Sequence, residues 1–216
     1  MKMNKLYSIL LVLTLFSYNL LAQQDPKATL ILNEMSKKYQ AFKSFKADFT
    51  YSLETATGKV KDSYQGQISV KGNKYYLKIS GQEVFNDGAT VWTYMKEENE
   101  CNISEYVPDE NEITPTKIHV MYKKGFKYTY AEEKKVGTEV YDVIDLVPED
   151  KNKSFFKVRI MISKKDKSVK SWKIFDRNGN RYLYSVSKFA PNNVVDDKQF
   201  KFDKTKYPKV QIVDLR

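Results

Sequence analysis

The sequence predicts a mainly β protein with α: an antiparallel, half-open β-barrel with a long N-terminal helix and a short helix forming a lid over a hydrophobic cavity. Three observations carry this reading. One segment repeats its apolar residues at helical spacing, and nearly everything after it repeats them at every second residue. The strands so defined have one apolar face each, and two helices are too few to cover so wide a sheet, which must therefore close on itself or be covered.

Residues 1–22 read as a cleaved signal peptide. Lys2 and Lys5 precede an apolar run over residues 6–21, broken only by Ser8, Thr14, Ser17 and Asn19, and Ala22 precedes Gln23, Gln24 and Asp25. The run is short for a membrane span of roughly 20 apolar residues, and no basic stop-transfer cluster follows it. Gln23 stands where a lipoprotein signal needs cysteine, so the mature chain is expected to be soluble and not itself acylated. Residues 23–216 are expected to form a single domain. About 194 residues suffice to bury roughly 70% of the unfolded surface.

The helix begins at Asp25, a capping residue, with Pro26 at the first helical position. Ala28, Ile31, Leu32, Met35, Tyr39 and Phe42 then form one apolar stripe, with Lys27, Asn33, Lys37 and Gln40 opposite. From Phe45 the period is two: Phe45, Ala47, Phe49, Tyr51 and Leu53 alternate with polar residues, as do Ile68 and Val70, and then Tyr75, Leu77 and Ile79. Val84 to Asn86 enter an Asp87-Gly88 turn, and Thr90, Val91, Trp92, Thr93 and Tyr94 leave it, which is a hairpin signal.

A short helix is expected from Thr114 as cap through Pro115, Ile118, Met121 and Tyr122. Further strands are expected over 126–130, 139–147, 155–163, 169–175 and 181–189. Lys164 to Lys167 and Arg177 to Asn180 supply turns between them. A last strand is expected over 200–202, with an extension over 210–213. The surplus of one-faced strands leaves two outcomes open: an aromatic-lined cavity under an incomplete lid, or a simply packed core.

Composition narrows the function classes. Cys101 is the one cysteine, so an exported chain has no internal disulfide. The formal net charge is +10. Outside the cytoplasm such charge suits anionic head groups or acidic partners better than nucleic acid, or simply keeps a solvated face soluble. The lysines are dispersed along strands and turns, and no nucleic-acid partner is expected.

His119 is the one histidine, which excludes a His-rich metal site. No Gly-x-Ser-x-Gly elbow accompanies it, and Cys101 lies in a polar, acidic stretch that disfavours a thiolate. Asp176 to Asn180 lacks the closing Glu of a calcium loop and reads as a hairpin turn. No catalytic residue, metal or cofactor is expected, and the chain does not read as an enzyme.

The chain resembles the periplasmic outer-membrane lipoprotein carriers, the LolA family. The segment from Ser44 to Thr50 is similar to the family's stretch after its first helix, and that from Gly66 to Lys71 to the following strand. Lys74 to Ile79 takes the place of its aromatic strand, and the Asp87-Gly88 hairpin with Trp92 and Tyr94 is the strongest match. Leu146-Val147-Pro148, the strand from Phe155 to Ile162, and Gln199 to Asp203 are similar to later elements. Together they span nearly the whole mature chain.

The resemblance implies a periplasmic, monomeric carrier. It would take acylated lipoproteins from an inner-membrane lipoprotein-releasing ABC transporter complex, shield their acyl chains, and release them at the outer membrane, where no acceptor is assigned. Each buried methylene is worth about 0.8 kcal/mol, so three acyl chains do not cross water unaided. By position, Phe45, Phe49, Leu53, Ile68, Val70, Tyr75, Leu77 and Ile79 would line the apolar wall, with Trp92, Ile118, Met121 and Tyr122 at its mouth. Each of them also suits ordinary core packing.

One departure concerns the lid. Gly72-Asn73 stands where the better-known branch of the family has an Arg-Pro pair whose Arg helps hold the lid shut, so the latch is expected to be different or absent, with Lys71 and Lys74 the candidate substitutes. A second class of function uses the same fold: a lipid- or lipoprotein-sensing interaction protein of the envelope.

Overall fold

The computed structural model describes residues 24–108, 113, 114 and 116–216. The signal-peptide reading over residues 1–22 lies outside the described residues, as does Pro115. The chain forms helix α1 (Pro26–Gln40) and then strands β1 (Phe45–Glu54), β2 (Val60–Lys71), β3 (Lys74–Ile79), β4 (Gln82–Asn86), β5 (Thr90–Met95) and β6 (Glu100–Glu105). The second half forms β7 (Phe126–Val136), β8 (Glu139–Pro148), β9 (Phe155–Ser163), β10 (Val169–Asp176), β11 (Arg181–Pro191) and β12 (Gln211–Asp214).

All twelve strands belong to one sheet, in the order β12-β6-β5-β4-β3-β2-β1-β11-β10-β9-β8-β7. Every pairing is antiparallel except that of β12 with β6, which is parallel. The sheet is not closed: β12 and β7 are its two edges. The half-open, mainly β architecture expected from the periodicity is the one observed.

The long helix forms for the reasons its sequence gives. The Asp25 carboxylate accepts the backbone N–H groups of Lys27 (2.9 Å) and Ala28 (3.1 Å), and Pro26 needs no N–H partner at the first turn. The other carboxylate oxygen accepts from Tyr130 N at 2.8 Å, while the Gln24 side chain accepts from Tyr128 N and donates to Phe126 O. Two side chains thus satisfy backbone groups along the β7 edge and fix where the helix starts. Its stripe of Ala28, Ile31, Leu32, Met35 and Tyr39 packs on β8–β10 through Ile144, Leu146, Ile160, Ile162 and Trp172. That face of the sheet is called the inner face below.

The expected lid helix is not present as a helix. Residues 116–120 form turns and Met121–Lys123 a single 3-10 turn. Two bonds of helical spacing form, Ile118 N to Thr114 O and Met121 N to Lys117 O, each 3.0 Å. Ile118 and Val120 are β-branched, and so short a segment does not repay helix nucleation. Gly125, at φ 75°, then turns the chain into β7.

The strand expected over 200–202 is instead the end of a 3-10 turn, Asp197–Phe200, because the Asp196 side chain accepts Lys198 N at 3.0 Å and winds the chain there. The Asp87-Gly88 hairpin forms as expected, with Gly88 at φ 97° and the Asp87 carboxylate accepting the N–H groups of Ala89 and Thr90.

Candidate lipid-binding site

The inner face divides into two apolar clusters. Under α1 lie the side chains of β8–β10, together with Ile118 and Tyr122 from the 116–124 segment and Met121 packed beside them. Beyond β11 lies a second cluster of Phe45, Ala47, Phe49, Ile68 and Val70, with Tyr75, Leu77 and Ile79 packed half-buried against it. Tyr184, Val186 and Phe189 of β11 touch both, so β11 is the seam between the helix-covered core and the β1–β3 wall, whose Phe45, Ala47, Phe49, Ile68 and Val70 are buried as well.

The predicted site residues therefore separate. Phe45, Phe49, Ile68, Val70, Tyr75, Leu77 and Ile79 come together on one wall; Ile118, Met121 and Tyr122 come together on the lid segment, packed into the cluster under α1. Leu53, half-buried at the far end of β1, lies outside both clusters. Trp92 is on the opposite face. It pairs with Phe85 and Ile103 and packs with Tyr94, Cys101, Phe202, Tyr207 and Val210, where residues 196–210 cover the outer side of β4–β6. The cause is parity: Leu77 pairs with Val84 and Val84 with Thr93, so Thr93 faces inward and its neighbour Trp92 outward.

Gly66 shapes the wall. It stands opposite Phe49 in the β1–β2 register, and the Phe49 ring lies over its Cα so closely that a Cβ there would meet Phe49 Cζ at 2.4 Å. The absent side chain at 66 lets the ring lie flat against the sheet.

The wall and lid segment meet in a cavity bounded by Tyr39, Phe45, Phe49, Ile68, Ile118 and Trp172, among others, with a volume of about 20 Å³. That is room for about one water. The protein's own rings crowd the space, and an acyl chain enters only if they move. Tyr39 is the centre of this packing. It stacks on His119 (centroids 5.4 Å), meets Phe42, Phe45 and Phe189 at 5.4–6.2 Å, and its buried hydroxyl accepts Val169 N at 3.1 Å. Burial pushes the Tyr39 hydroxyl up to about 12.

Next to it, a pocket of about 350 Å³ opens between the end of α1, the β2–β3 turn and residues 116–120. Tyr39, Phe42, Phe45 and Val70 give it apolar sides, and Lys43 and His119 also line it. Burial, with a smaller contribution from Lys123, lowers the His119 imidazole to about 4, so it is neutral at pH 7. Its Nδ1 is buried with no hydrogen-bond partner among the described residues.

The lid contact differs from the expected one. Lys71 and Lys74 do not reach the lid segment: both bind Asp197, at 2.7 and 2.8 Å, and fasten the C-terminal segment to the outer side of the β2–β3 turn. The segment is held to α1 instead by the Tyr122 hydroxyl, which donates to Asn33 Oδ1 at 2.8 Å, and by burial of Ile118.

A feature the sequence reading missed is a row of tyrosines on the inner face. Tyr51 stacks between Tyr64 and Tyr182 (6.3 Å each) and meets Tyr184 at 5.0 Å, and Tyr184 stacks on Trp172 at 4.8 Å. The row comes from pairing β1 with both β2 and β11, and the β1–β11 pairing joins residues far apart in the chain. Periodicity within a strand carries no information about that register.

Among the described residues no three His, Cys, Asp or Glu side chains are placed to hold a metal ion. No helix among them is long and apolar enough to cross a membrane.

An open antiparallel sheet with one long helix laid across half of its inner face, leaving an aromatic wall on the other half, defines the class of protein. The chain belongs to the family of outer membrane lipoprotein carrier proteins, LolA, whose family model matches residues 40–203. No curated protein matches it. Among solved structures, an uncharacterized conserved protein from Thermus thermophilus shares the fold: TM-score 0.58, 13% identity, covering 87% of this chain and 99% of that one. A LolA superfamily protein from Nitrosomonas europaea aligns with TM-score 0.43 and 14% identity over 85% of this chain and 100% of that one. LprF from Mycobacterium bovis aligns with TM-score 0.46 and 13% identity over 82% and 99%.

Proposed function

We infer that this protein is a periplasmic carrier that takes up the acyl chains of lipoproteins against the wall of β1–β3 and releases them again without covalent chemistry. The observation that carries the reading is that wall itself. Phe45, Phe49, Ile68, Val70, Tyr75, Leu77 and Ile79 form a continuous apolar surface beside the helix-covered core, in a chain of the LolA family. Cargo would come from an inner-membrane lipoprotein-releasing ABC transporter complex and go to the outer membrane.

The energetics favour a moving lid. A sixteen-carbon chain that buries about 14 methylenes gains about 11 kcal/mol. Lifting residues 116–124 exposes Ile118 and Tyr122, about 2–3 kcal/mol each, and breaks the Tyr122–Asn33 bond, about 1 kcal/mol. Cargo burial outweighs these terms, and the closed arrangement protects the wall from water when no cargo is held.

Titration with a fluorescent sixteen-carbon fatty acid tests the reading. Saturable binding is expected, weakened at least about tenfold by Leu77→Glu, which sets a carboxylate on the wall. A wild-type protein with no saturable site, or a Leu77→Glu variant that binds equally, contradicts it.

A further inference from the structure

The outer face of the sheet is divided. Residues 196–210 cover it over β4–β6, whereas over β8–β11 the surface is lined by side chains of the strands themselves. That second region is not an ordinary solvated face. Apolar Val143, Met161, Phe175 and Leu183 point outward there, and cationic side chains stand among them around a trough of about 390 Å³.

The strand register orders these groups into rows. Lys157, Phe175 and Arg181 stand side by side; Arg159, Lys173 and Leu183 form the next row, and Val143, Met161 and Ser171 the third. Lys157 Nζ lies 4.3 Å from the Phe175 ring centre and Arg181 Cζ 5.1 Å, so both cations flank one ring. Phe156, 43% exposed, packs on Phe175 at 6.0 Å.

The carboxylates nearby do not balance the charge. Asp145 accepts two bonds from Arg159 (2.7 and 2.8 Å) and lies 3.5 Å from Lys157, Glu54 pairs with Lys173 at 2.8 Å, and Glu132 lines the trough and acts on Arg159, so three carboxylates face the five cations Lys134, Lys157, Arg159, Lys173 and Arg181. Lys134 at the edge of the trough and Arg181 have no carboxylate within 4 Å among the described residues.

We propose that this outer trough is a docking site for an acidic, partly apolar segment of a partner protein. Its carboxylates would lie against the two cationic rows and its apolar side chains against half-buried Met161 and Leu183, beneath which Val143 is buried. The spacing suits an extended chain. Lys157 and Arg159 are two residues apart on β9, about 6.8 Å along the strand, which is the repeat of alternate side chains in an extended partner. The Lys157 and Lys173 side chains are only 24% and 27% exposed. A flat bilayer surface meets protruding tips first, whereas a chain that enters the trough meets these recessed cations and the apolar floor between them. The site is on the opposite face from the acyl-binding wall, so it holds whether or not that wall binds lipid.

The probe is a short fluorescein-labelled peptide with glutamate at alternate positions and a terminal leucine, compared with its glutamine counterpart by fluorescence anisotropy on the intact protein. Affinity for the glutamate peptide is expected to exceed that for the glutamine peptide at least about tenfold, and to fall by a similar factor between about 50 and 300 mM NaCl. The Lys134→Gln/Arg181→Gln variant, which leaves every ion pair of the trough in place, is expected to weaken binding about tenfold. Amide shifts on binding should be confined to β7–β11. Equal binding of the two peptides, an unaffected double variant, shifts elsewhere, or no binding at about 1 mM overturns the proposal. So does the case in which phosphatidylglycerol vesicles bind through Lys134 and Arg181 while the peptide does not, because the trough then serves a membrane surface.

Discussion

Replacing Gly66 by valine isolates the contact that shapes the inner wall. A Cβ at this position would lie 2.4, 2.8 and 2.9 Å from Cζ, Cε2 and Cε1 of Phe49, closer than real side chains approach, so the ring must leave its place. Phe49 is 4% exposed and has Tyr184 at 6.3 Å on one side, and the cavity of about 20 Å³ beside it is too small to take the displaced ring. Overpacking of this kind costs about 1–3 kcal/mol. Removing a glycine from a strand interior returns about 0.5–1 kcal/mol. The net expectation for Gly66→Val is a loss of about 1–2 kcal/mol in urea unfolding followed by circular dichroism.

Phe49→Ala alone should cost about 3–5 kcal/mol through the cavity it leaves. In the double variant the valine methyls occupy the space the ring vacated, so the combined loss should fall short of the sum by at least about 1 kcal/mol. A Gly66→Val protein as stable as the wild type, or losses that add within about 0.5 kcal/mol, would refute the reasoning.

His119 should titrate with a midpoint of about 4 in nuclear magnetic resonance, unambiguously because it is the one histidine. Its folded value lies below its ordinary 6.5, so the unfolded chain binds the proton first and stability should fall as pH drops from about 6.5 towards 4. His119→Gln should flatten that dependence. Cys101 is fully buried, with its thiol pushed up to about 11 by desolvation, and should resist a disulfide-exchange reagent in the native state and react once unfolded. Trp92→Ala should lower stability by about 2–4 kcal/mol through the outer cluster while leaving acyl affinity within about twofold, whereas a wall residue such as Leu77→Ala should lower affinity.

The sequence made legible those elements whose alternation is long and uninterrupted. The helix stripe, β1, β3 and β8–β11 follow the apolar spacing because each buries one face. What it concealed has specific causes. β6 has only Cys101 and Ile103 as apolar positions, too few for a period, and the first half of β2 is exposed on both faces and shows no apolar alternation. The 3-10 turn ending at Phe200 places an aromatic residue where a strand would, since both conformations can bury it.

For the site, shared faces along one strand were legible: Phe45 with Phe49, Ile68 with Val70, Leu77 with Ile79. Contacts that depend on pairing across the chain were not. Phe189 and Val186 reach the wall only because β11 pairs with β1, and Trp92 left it because a hairpin's parity is set by its register.

The most direct test is to mix the protein with a triacylated lipoprotein in the absence of detergent, and to follow the mixture by gel filtration and native mass spectrometry. A soluble one-to-one complex, lost when the acyl chains are removed from the cargo and weakened by Leu77→Glu, is the predicted result. Cargo that stays insoluble, or a complex that forms equally well without acyl chains, would contradict a carrier that works by burying them.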